Sequence, residues 1–299
     1  MRKLIALWRR EFIEHRGAFL WAPVIILGLF LLTVFSIVGR ARFEIPPEVA
    51  FLTPRRIYED SVLVATALWW LYFGAGLFFY LADAFSADRR NNAMLFWKSM
   101  PVSDFGMLLS KLTFGGAAAV TLAWAFTALT SVVLGLITLG INFVIPTFTP
   151  PAVGEVAASL GSLLIFAAGY LLLSAIWYAP FLAWVAALST VVRRWSIPLA
   201  FFIPGALSLM EVSVLRTTYI SEFLGGRLRF GFEAAANELG VPFWGLLGGI
   251  LGGTQPLNGM DLLGIIMLGF DWVQCIGGIV VALALVYLAS LWRRRGITS

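Results

Sequence analysis

Six apolar runs of membrane-crossing length constrain this chain more than any other feature of its sequence. A helix needs about 20 predominantly apolar residues to cross about 30 Å of hydrocarbon. Runs of this order lie at 19–38, 62–82, 108–139, 157–192, 197–215 and 272–292. Of the 299 residues 60% are hydrophobic and 12% are charged, whereas soluble domains have about 45–50% apolar and about 25% charged residues. The sequence therefore predicts an all-α, polytopic membrane protein with six transmembrane helices in a single domain over 1–299.

The fourth run is long enough to form either one helix or two. It covers 157–192 and contains Pro180, so it is either one tilted, kinked helix or two short halves. Two crossings would put Arg293, Arg294 and Arg295 on the outer side and weaken the charge asymmetry. We therefore expect one crossing.

Lysine and arginine placement predicts the orientation. With a cytoplasmic N-terminus, fourteen of these residues lie in inner segments and seven in outer ones, while five acids are inner and eleven are outer. We expect a multi-pass protein of a plasma membrane with both termini cytoplasmic. The net charge of +5 then reflects topology, and no nucleic acid partner is expected.

The N-terminal segment 1–18 has the pattern of a helix lying on the membrane. At about 3.6 residues per turn, apolar residues gather on one face and charged residues on the other. The apolar face holds Met1, Leu4, Ile5, Trp8 and Phe12, and the charged face holds Arg2, Lys3, Arg9, Arg10 and Glu14. The alternative is that this segment is only a charged flank of the first span.

Between the second and third runs lies a polar segment, 86–104, that has the composition of a docking site. Its residues of interest are Asp88, Arg89, Arg90, Met94, Leu95, Phe96, Trp97, Lys98, Pro101, Ser103 and Asp104. Aromatic and apolar anchors dominate protein interfaces, and charges select partners. Pro101 ends a helix before it, and Ser103 is placed to cap the next one with Asp104 in its first turn. The alternative is an ordinary loop whose aromatic side chains lie at the membrane interface.

The segment 211–261 is predicted to be outside the membrane, yet its part 241–253 is almost wholly apolar. Thirteen residues are too few to cross as a helix and suit a re-entrant or interfacial element. Glu211 and Asp271, at the two ends of this region, are expected at the outer interface.

Three of these features together resemble the membrane subunits of type-two ABC transporters, the six-span permeases of bacterial exporters. They are the amphipathic N-terminal helix at 7–12, the long outer segment before the last span, and the run from Lys98 through Pro101 and Ser103 to Lys111. The run is the most specific of the three, because members of that family tend to show a similar lysine–serine–proline–serine pattern before the third span. The resemblance covers the whole chain in topology and about thirty residues in motif.

The resemblance implies that 86–104 is a coupling helix seated on a separate ATP-binding subunit, of which two copies are expected. It also implies a second permease chain, identical or similar to this one, and a bacterial inner-membrane location. The sequence contains no phosphate-binding loop of the form G-x-x-x-x-G-K-S/T. ATP and magnesium are therefore expected in the partner subunit, and no cofactor is expected in this chain.

The second span is rich in aromatic residues. In the family this span flanks the transport route, which makes Trp69, Trp70 and Phe73 candidates to line a substrate path, with Asp271 as a polar contact. The alternatives are lipid contact for the aromatics and an interfacial position for Asp271. The substrate itself is not readable from the sequence.

The sequence contains few residues of the types that carry out catalysis. His15 is the one histidine and Cys275 the one cysteine, and no serine has a nucleophile-elbow motif. We expect neither a catalytic nor a metal site and predict that the chain is not an enzyme. The alternatives are a membrane anchor of an ATPase-linked complex without transport and an intramembrane enzyme.

Overall fold

The computed structural model describes residues 2–40, 53–90, 103–143, 145, 148–192, 195–228, 230, 250 and 255–295. These residues form helices, and no strand occurs among them. The helices are α1 (Arg2–Glu14), α2 (Ala22–Arg40), α3 (Pro54–Arg90), α4 (Asp104–Leu139), α5 (Val153–Val192), α6 (Ser196–Met210), α7 (Tyr219–Leu228), α8 (Gly259–Leu268) and α9 (Trp272–Arg295). Two π-helical turns, Gly17–Trp21 and Glu211–Leu215, join α1 to α2 and extend α6.

Six helices are long and apolar enough to cross a membrane: Gly17–Ser36, Pro54–Phe85, Asp104–Leu139, Val153–Val192, Ser196–Leu215 and Trp272–Arg294. They correspond to the six runs predicted from the sequence. The fourth run is one continuous helix that contains Pro180, which confirms the expectation that it does not divide into two halves.

Three of the helices are much longer than a bilayer requires. Helices α3, α4 and α5 contain 37, 36 and 40 residues, which at the α-helical rise gives lengths of about 54–60 Å. The hydrocarbon core is about 30 Å thick. Each of these helices therefore extends beyond the hydrocarbon, and α3 begins eight residues before the predicted span because an ion-paired turn at 54–60 precedes the apolar run.

Helices α3, α4, α5 and α9 pack together as the central bundle, with α1 against α4 and with α6 and α8 against α5. One core cluster, which includes Phe73, Leu81, Phe85 and Leu108, lies where α3 packs on α4. A second includes Tyr58, Leu163 and Trp177 and lies where α5 meets α3 and α8. The first and fifth spans are the least covered, with 11% of their apolar window buried against 33% in the other four.

Helix α3 ends at Arg90 and α4 begins at Asp104, so the end of α3 and the start of α4 lie on the same side of the bundle, with residues 91–102 between them in the sequence. We call this side of the bundle the 91–102 end. The other side, where α3 begins and α4 ends, is the opposite end.

Candidate functional site

The start of α4 is capped and tied to the end of α9. Ser103 Oγ accepts a hydrogen bond of 3.1 Å from the backbone N–H of Gly106, which confirms the cap predicted from the sequence. The carboxylate of Asp104 lies 3.9 Å from Arg293 Nε and 3.6 Å from Arg294 Nε. The first turn of α4 and the last turns of α9 are therefore held together by charge.

A buried carboxylate joins α1 to α3 and α4. Glu11 Oε2 accepts a hydrogen bond of 2.8 Å from the hydroxyl of Tyr80, and Glu11 Oε1 lies 3.5 Å from Lys111 Nζ. Lys111 Nζ also donates to the carbonyl oxygen of Ala84 at 2.9 Å. Because Glu11 and Lys111 are both buried, this pair is shielded from solvent and connects three helices.

The fifth span joins the same assembly at its first residue. Ser196 Oγ donates a hydrogen bond of 3.0 Å to the carbonyl oxygen of Ala82 on α3. Ala82 and Ala84 lie within the last three turns of α3, and Asp104 and Lys111 lie within the first three turns of α4. Of the two helices that flank 91–102, α3 is thus bonded to α1 and α6, and α4 is bonded to α1 and α9.

A cavity of about 770 Å³ opens beside this junction. Its polar end is lined by Arg10, Glu11, Glu14, His15, Asp83 and Lys111. Its apolar part follows one face of α3 at Leu68, Leu71, Tyr72, Ala75, Gly76 and Phe79. The cavity is therefore amphipathic along its length.

At the opposite end, buried charges bind the backbone of the segment before α8. Glu59 is fully buried and accepts hydrogen bonds from Arg55 Nε at 2.9 Å, Ser159 Oγ at 2.6 Å and the N–H of Leu257 at 2.7 Å. Arg56 donates to the carbonyl oxygens of Gln255, at 2.6 Å, and of Ile250. These contacts hold Ile250, Gln255 and Leu257 against the start of α3.

Another buried cation, Arg227 on α7, lies between α5 and α9. Its guanidinium donates to the carbonyl oxygens of Gln274 at 3.0 Å and Trp177 at 3.1 Å, and its Cζ lies 4.6 Å from the centre of the Trp177 ring. Burial lowers the pKa of Arg227, while the carboxylate of Asp271 acts in the opposite direction. Trp177 Nε1 donates back to the carbonyl oxygen of Arg227 at 2.6 Å, so the two residues bind each other twice.

The residues predicted to couple to an ATPase fall mostly beyond what the structure describes. Asp88, Arg89 and Arg90 form the last turn of α3, although their side chains are not described. Met94, Leu95, Phe96, Trp97, Lys98 and Pro101 lie outside the described residues. The apolar run 241–253 of the outer segment also lies outside them, except for Ile250.

The predicted N-terminal helix is present as α1, and its two faces differ as expected at the residues whose side chains are described. Trp8 and Phe12 pack against the core, with the Trp8 ring 6.1 Å from that of Phe114. Arg9 and Arg10 are exposed, and Leu4 lies on the helix with its side chain not described. Glu11 departs from the pattern, because it is buried between the two faces.

The residues predicted to line a substrate path have different surroundings in the structure. Trp69 is buried and donates to Thr130 Oγ1 at 2.9 Å, and its ring lies 4.9 Å from that of Phe126. Phe73 packs against the same Phe126 and also borders the amphipathic cavity, while Trp70 is partly buried. Trp69 therefore packs between α3 and α4 of its own chain.

The two carboxylates that were predicted to lie at the outer interface cap helices. Asp271 is exposed, and its Oδ1 accepts from the N–H of Gln274 at 3.0 Å in the first turn of α9. Glu211 is buried, because the chain turns back at Arg216, with a positive φ of 52°, and brings the N–H of Ile220 to Glu211 Oε2 at 2.8 Å. The sequence predicted an interfacial position for Glu211 and did not predict that its side chain caps α7.

The Glu11–Tyr80–Lys111 contact was not predicted from the sequence. A lone lysine at the start of an apolar run and an acid among the apolar residues of an amphipathic helix were the only signals available. Their pairing joins positions 100 residues apart, which helical periodicity does not reveal.

Within the described residues, no group of three or more histidine, cysteine, aspartate or glutamate side chains is arranged to hold a metal ion. Comparisons with family models, with curated proteins and with solved structures gave no match for this chain.

Proposed function

We propose that this chain is the membrane permease subunit of an ATP-driven exporter of the type-two ABC class. In this proposal, two copies of a separate ATPase subunit bind ATP and magnesium and dock on the 86–104 segment. A second permease chain, identical or similar, completes the transport path. The chain lies in a bacterial inner membrane with both termini in the cytoplasm.

The observation that carries the proposal is the bonding around the 91–102 end. A docked subunit that displaces 91–102 acts on α3 and α4, and these helices are joined to α1 through Glu11, to α6 through Ser196 and to α9 through Asp104. A movement applied at one short segment is therefore distributed over the whole inner side of the bundle. An ordinary connecting loop has no need of such bonding on both flanks.

Transport follows as a shift between two states of the permease pair. Closure of the ATPase subunits presses on the coupling segment and on α1, and the seam between the two permeases changes its access from one side to the other. Nucleotide biases this equilibrium only through contacts that differ between the two states. The first and fifth spans, with 11% of their apolar windows buried, have the free apolar surface that a second permease or lipid would cover.

Two alternatives give different results in the same assays. A membrane anchor that serves an ATPase-linked complex would bind the ATPase without moving a substrate. An intramembrane enzyme would purify alone and would depend on a reactive group, for which the polar end of the cavity at Glu11, His15 and Lys111 is one candidate.

The test is purification of the tagged chain from its native membrane in mild detergent, followed by identification of bound proteins and an ATPase assay. We expect a stoichiometric nucleotide-binding subunit, and we expect Trp97→Asp and Phe96→Asp to remove it while membrane insertion is unchanged. Phe143→Asp is the matched control for Phe96→Asp, because Phe143 is exposed just beyond the far end of α4. It should leave the subunit bound.

Retention of the subunit by Trp97→Asp and Phe96→Asp, with normal stimulation of its ATPase, would contradict docking at 86–104. A chain that purifies alone would contradict the transporter proposal and favour the enzyme alternative. A bound ATPase with no transport by the reconstituted complex would favour the anchor.

A further inference from the structure

Another cavity, with a volume of about 310 Å³, lies between α3, α5 and α8. Its walls come from 63–68 of α3, from Phe166 and Tyr170 of α5, and from Leu262 and Ile266 of α8. Helix α8 packs on α5, so this cavity is the space that side chains leave open between α8 and α3. Its volume lies at the lower end of the range of roughly 300–1,000 Å³ of small-molecule sites.

The walls of this cavity are made almost wholly of hydrocarbon side chains. Among the described residues that line it, none is charged, and hydroxyl groups come only from Thr66 and Tyr170. Thr66 Oγ1 donates a hydrogen bond of 2.8 Å to the carbonyl oxygen of Val62 within α3, and the Tyr170 ring stacks on that of Phe166 at 5.9 Å. Because a polar group buried without a partner is costly, such walls suit an apolar ligand.

One side of the cavity is open at the surface of α3. Val64 and Leu68 line this side and are 46% and 60% exposed, whereas Leu262 and Ile266 on the far wall are 5% and 2% exposed. Helix α3 has membrane-crossing length, so the opening faces lipid when the protein is in a bilayer. The cavity therefore leads from the lipid into the space between three helices.

The depth of the cavity in the bilayer follows from its position on α3. The ion pair of Arg56 with Asp60 lies about one turn before 63–68, and the apolar run 62–82 begins next to it. The cavity wall on α3 thus occupies the first turns of the hydrocarbon at the opposite end. Each leaflet contributes half of the hydrocarbon thickness of about 30 Å, so the acyl chains of the leaflet at that end pass this depth.

We propose that this cavity binds one acyl chain of a membrane phospholipid, which enters past Val64 and Leu68 and lies against Leu262 and Ile266. An unfilled space of this size leaves its lining atoms without van der Waals partners, and acyl chains are the molecules present at its opening. The bound chain fills the gap between α8 and α3. The proposal stands apart from ATP-driven transport, because it concerns binding alone and involves no partner subunit.

Ala67 and Ala75 provide a matched pair of variants. Both are exposed alanines on α3, about two turns apart. Ala67 lines the cavity, and Ala75 does not. Ala67→Phe therefore narrows the opening, whereas Ala75→Phe adds the same ring to the same helix away from it.

The experiment photolabels the full chain in phosphatidylcholine nanodiscs and locates the labelled residues by mass spectrometry. The probe is phosphatidylcholine with a diazirine midway along one acyl chain. We expect label on Leu262 and Ile266, which lipid outside the cavity does not reach because both are buried. Ile276, which is 60% exposed on the membrane-crossing helix α9, reports labelling from the surrounding bilayer. Leu163 is fully buried and does not line the cavity, so it should remain unlabelled.

The two variants test the path of entry. Ala67→Phe should lower the labelling of Leu262 and Ile266 several-fold relative to that of Ile276, and Ala75→Phe should leave the ratio unchanged. Equal labelling of Leu262 and Ile266 in the two variants would overturn the proposal.

The native chain provides a test that does not depend on the folding of a variant. Label on Ile276 without label on Leu262 and Ile266 would overturn the proposal. A diazirine-bearing alkane without a head group distinguishes the source of the chain: if it labels Leu262 and Ile266 and the phosphatidylcholine probe does not, the occupant is a free apolar molecule and the proposal is wrong. No nucleotide and no ATPase subunit are present, so the outcome is independent of the ATPase test above.

Discussion

At the opposite end of the bundle buried charges bind main-chain groups of a segment distant in sequence as well as neighbouring side chains, whereas at the 91–102 end the contacts between charges of different helices join side chains. Glu59 and Arg56 bond to the backbone of Leu257 and Gln255. Glu11 and Asp104, by contrast, pair with Lys111 and with Arg293 and Arg294. A charge bound to backbone fixes the position of a segment, because the backbone groups cannot turn away. A pair between flexible side chains joins two helices and permits them to shift.

This difference assigns different mechanical roles to the two ends. The opposite end holds the segment before α8 in one place against α3 and α5. The 91–102 end links helices through pairs of side chains, which the proposed transmission of movement from a docked subunit would require to shift. The comparison therefore predicts that charge removal costs more stability at the opposite end.

The largest effect is expected for Glu59→Gln. The change removes the negative charge beside Arg55 and weakens the acceptor for the N–H of Leu257. Breaking a buried ion pair costs about 3–5 kcal/mol. Unfolding in mixed detergent measures the loss against Asp261→Asn, an exposed acid that should change stability by less than about 0.5 kcal/mol. A loss at Glu59 no greater than that control would contradict the anchoring role.

The second effect concerns Gly278 in α9. A Cβ at this position would meet the guanidinium of Arg227, with Cζ at 3.0 Å, and Pro180 Cγ at 3.3 Å. Arg227 cannot retreat without losing its bonds to Trp177 and Gln274, so Gly278→Ala should cost about 2–3 kcal/mol.

Gly277→Ala is the control for that variant. A Cβ at Gly277 meets no atom within 4 Å, and alanine is the better helix former by about 1 kcal/mol. The control should be neutral or more stable in the same unfolding assay. If Gly278→Ala is as stable as Gly277→Ala, Arg227 gives way to the added methyl group and the prediction is wrong.

The sequence predicted the elements that depend on local pattern. Six apolar runs correspond to six helices of membrane-crossing length, Ser103 caps α4, and Trp8 and Phe12 pack inward while Arg9 and Arg10 are exposed. Each of these follows from hydropathy, helical period or capping chemistry within a few residues.

The features that were not predicted depend on partners distant in sequence. Hydropathy marks where lipid covers a helix and not where the helix ends, so it missed the turn at 54–60 whose ion pairs begin α3. Periodicity places Trp69 and Phe73 on one face of α3, but only packing shows that this face meets Phe126 on α4. Whether 86–104 couples to an ATPase stays a prediction, since its central residues lie outside the described ranges.

A smaller effect is expected for Lys111→Met at the 91–102 end. Removing one partner of a buried pair costs about 3–5 kcal/mol, and we expect the loss to fall below this range because Glu11 keeps its bond from Tyr80. A double-mutant cycle with Glu11→Gln measures the coupling between the two side chains. An effect of Lys111→Met as large as that of Glu59→Gln would remove the difference between the two ends.

The smallest effect is expected for Asp104→Asn, and salt separates it from the adjacent cap. Arg294 is exposed and Asp104 is partly exposed, while the buried Arg293 has a further contact besides Asp104. Ion pairs in contact with solvent contribute about 0–1 kcal/mol. Because the screening length falls from about 10 Å at 0.1 M salt to about 3 Å at 1 M, the destabilisation by Asp104→Asn should shrink as salt is raised.

Ser103→Ala is the control, since loss of a neutral N-cap costs about 1 kcal/mol through a hydrogen bond that salt does not screen. Unfolding at low and high salt should therefore show a wider gap between the two variants at high salt, with Asp104→Asn approaching the native chain and Ser103→Ala keeping its deficit. If the stability deficit of Asp104→Asn does not depend on salt, the contacts of Asp104 with Arg293 and Arg294 are as fixed as those of Glu59. The 91–102 end would then be no more able to shift than the opposite end.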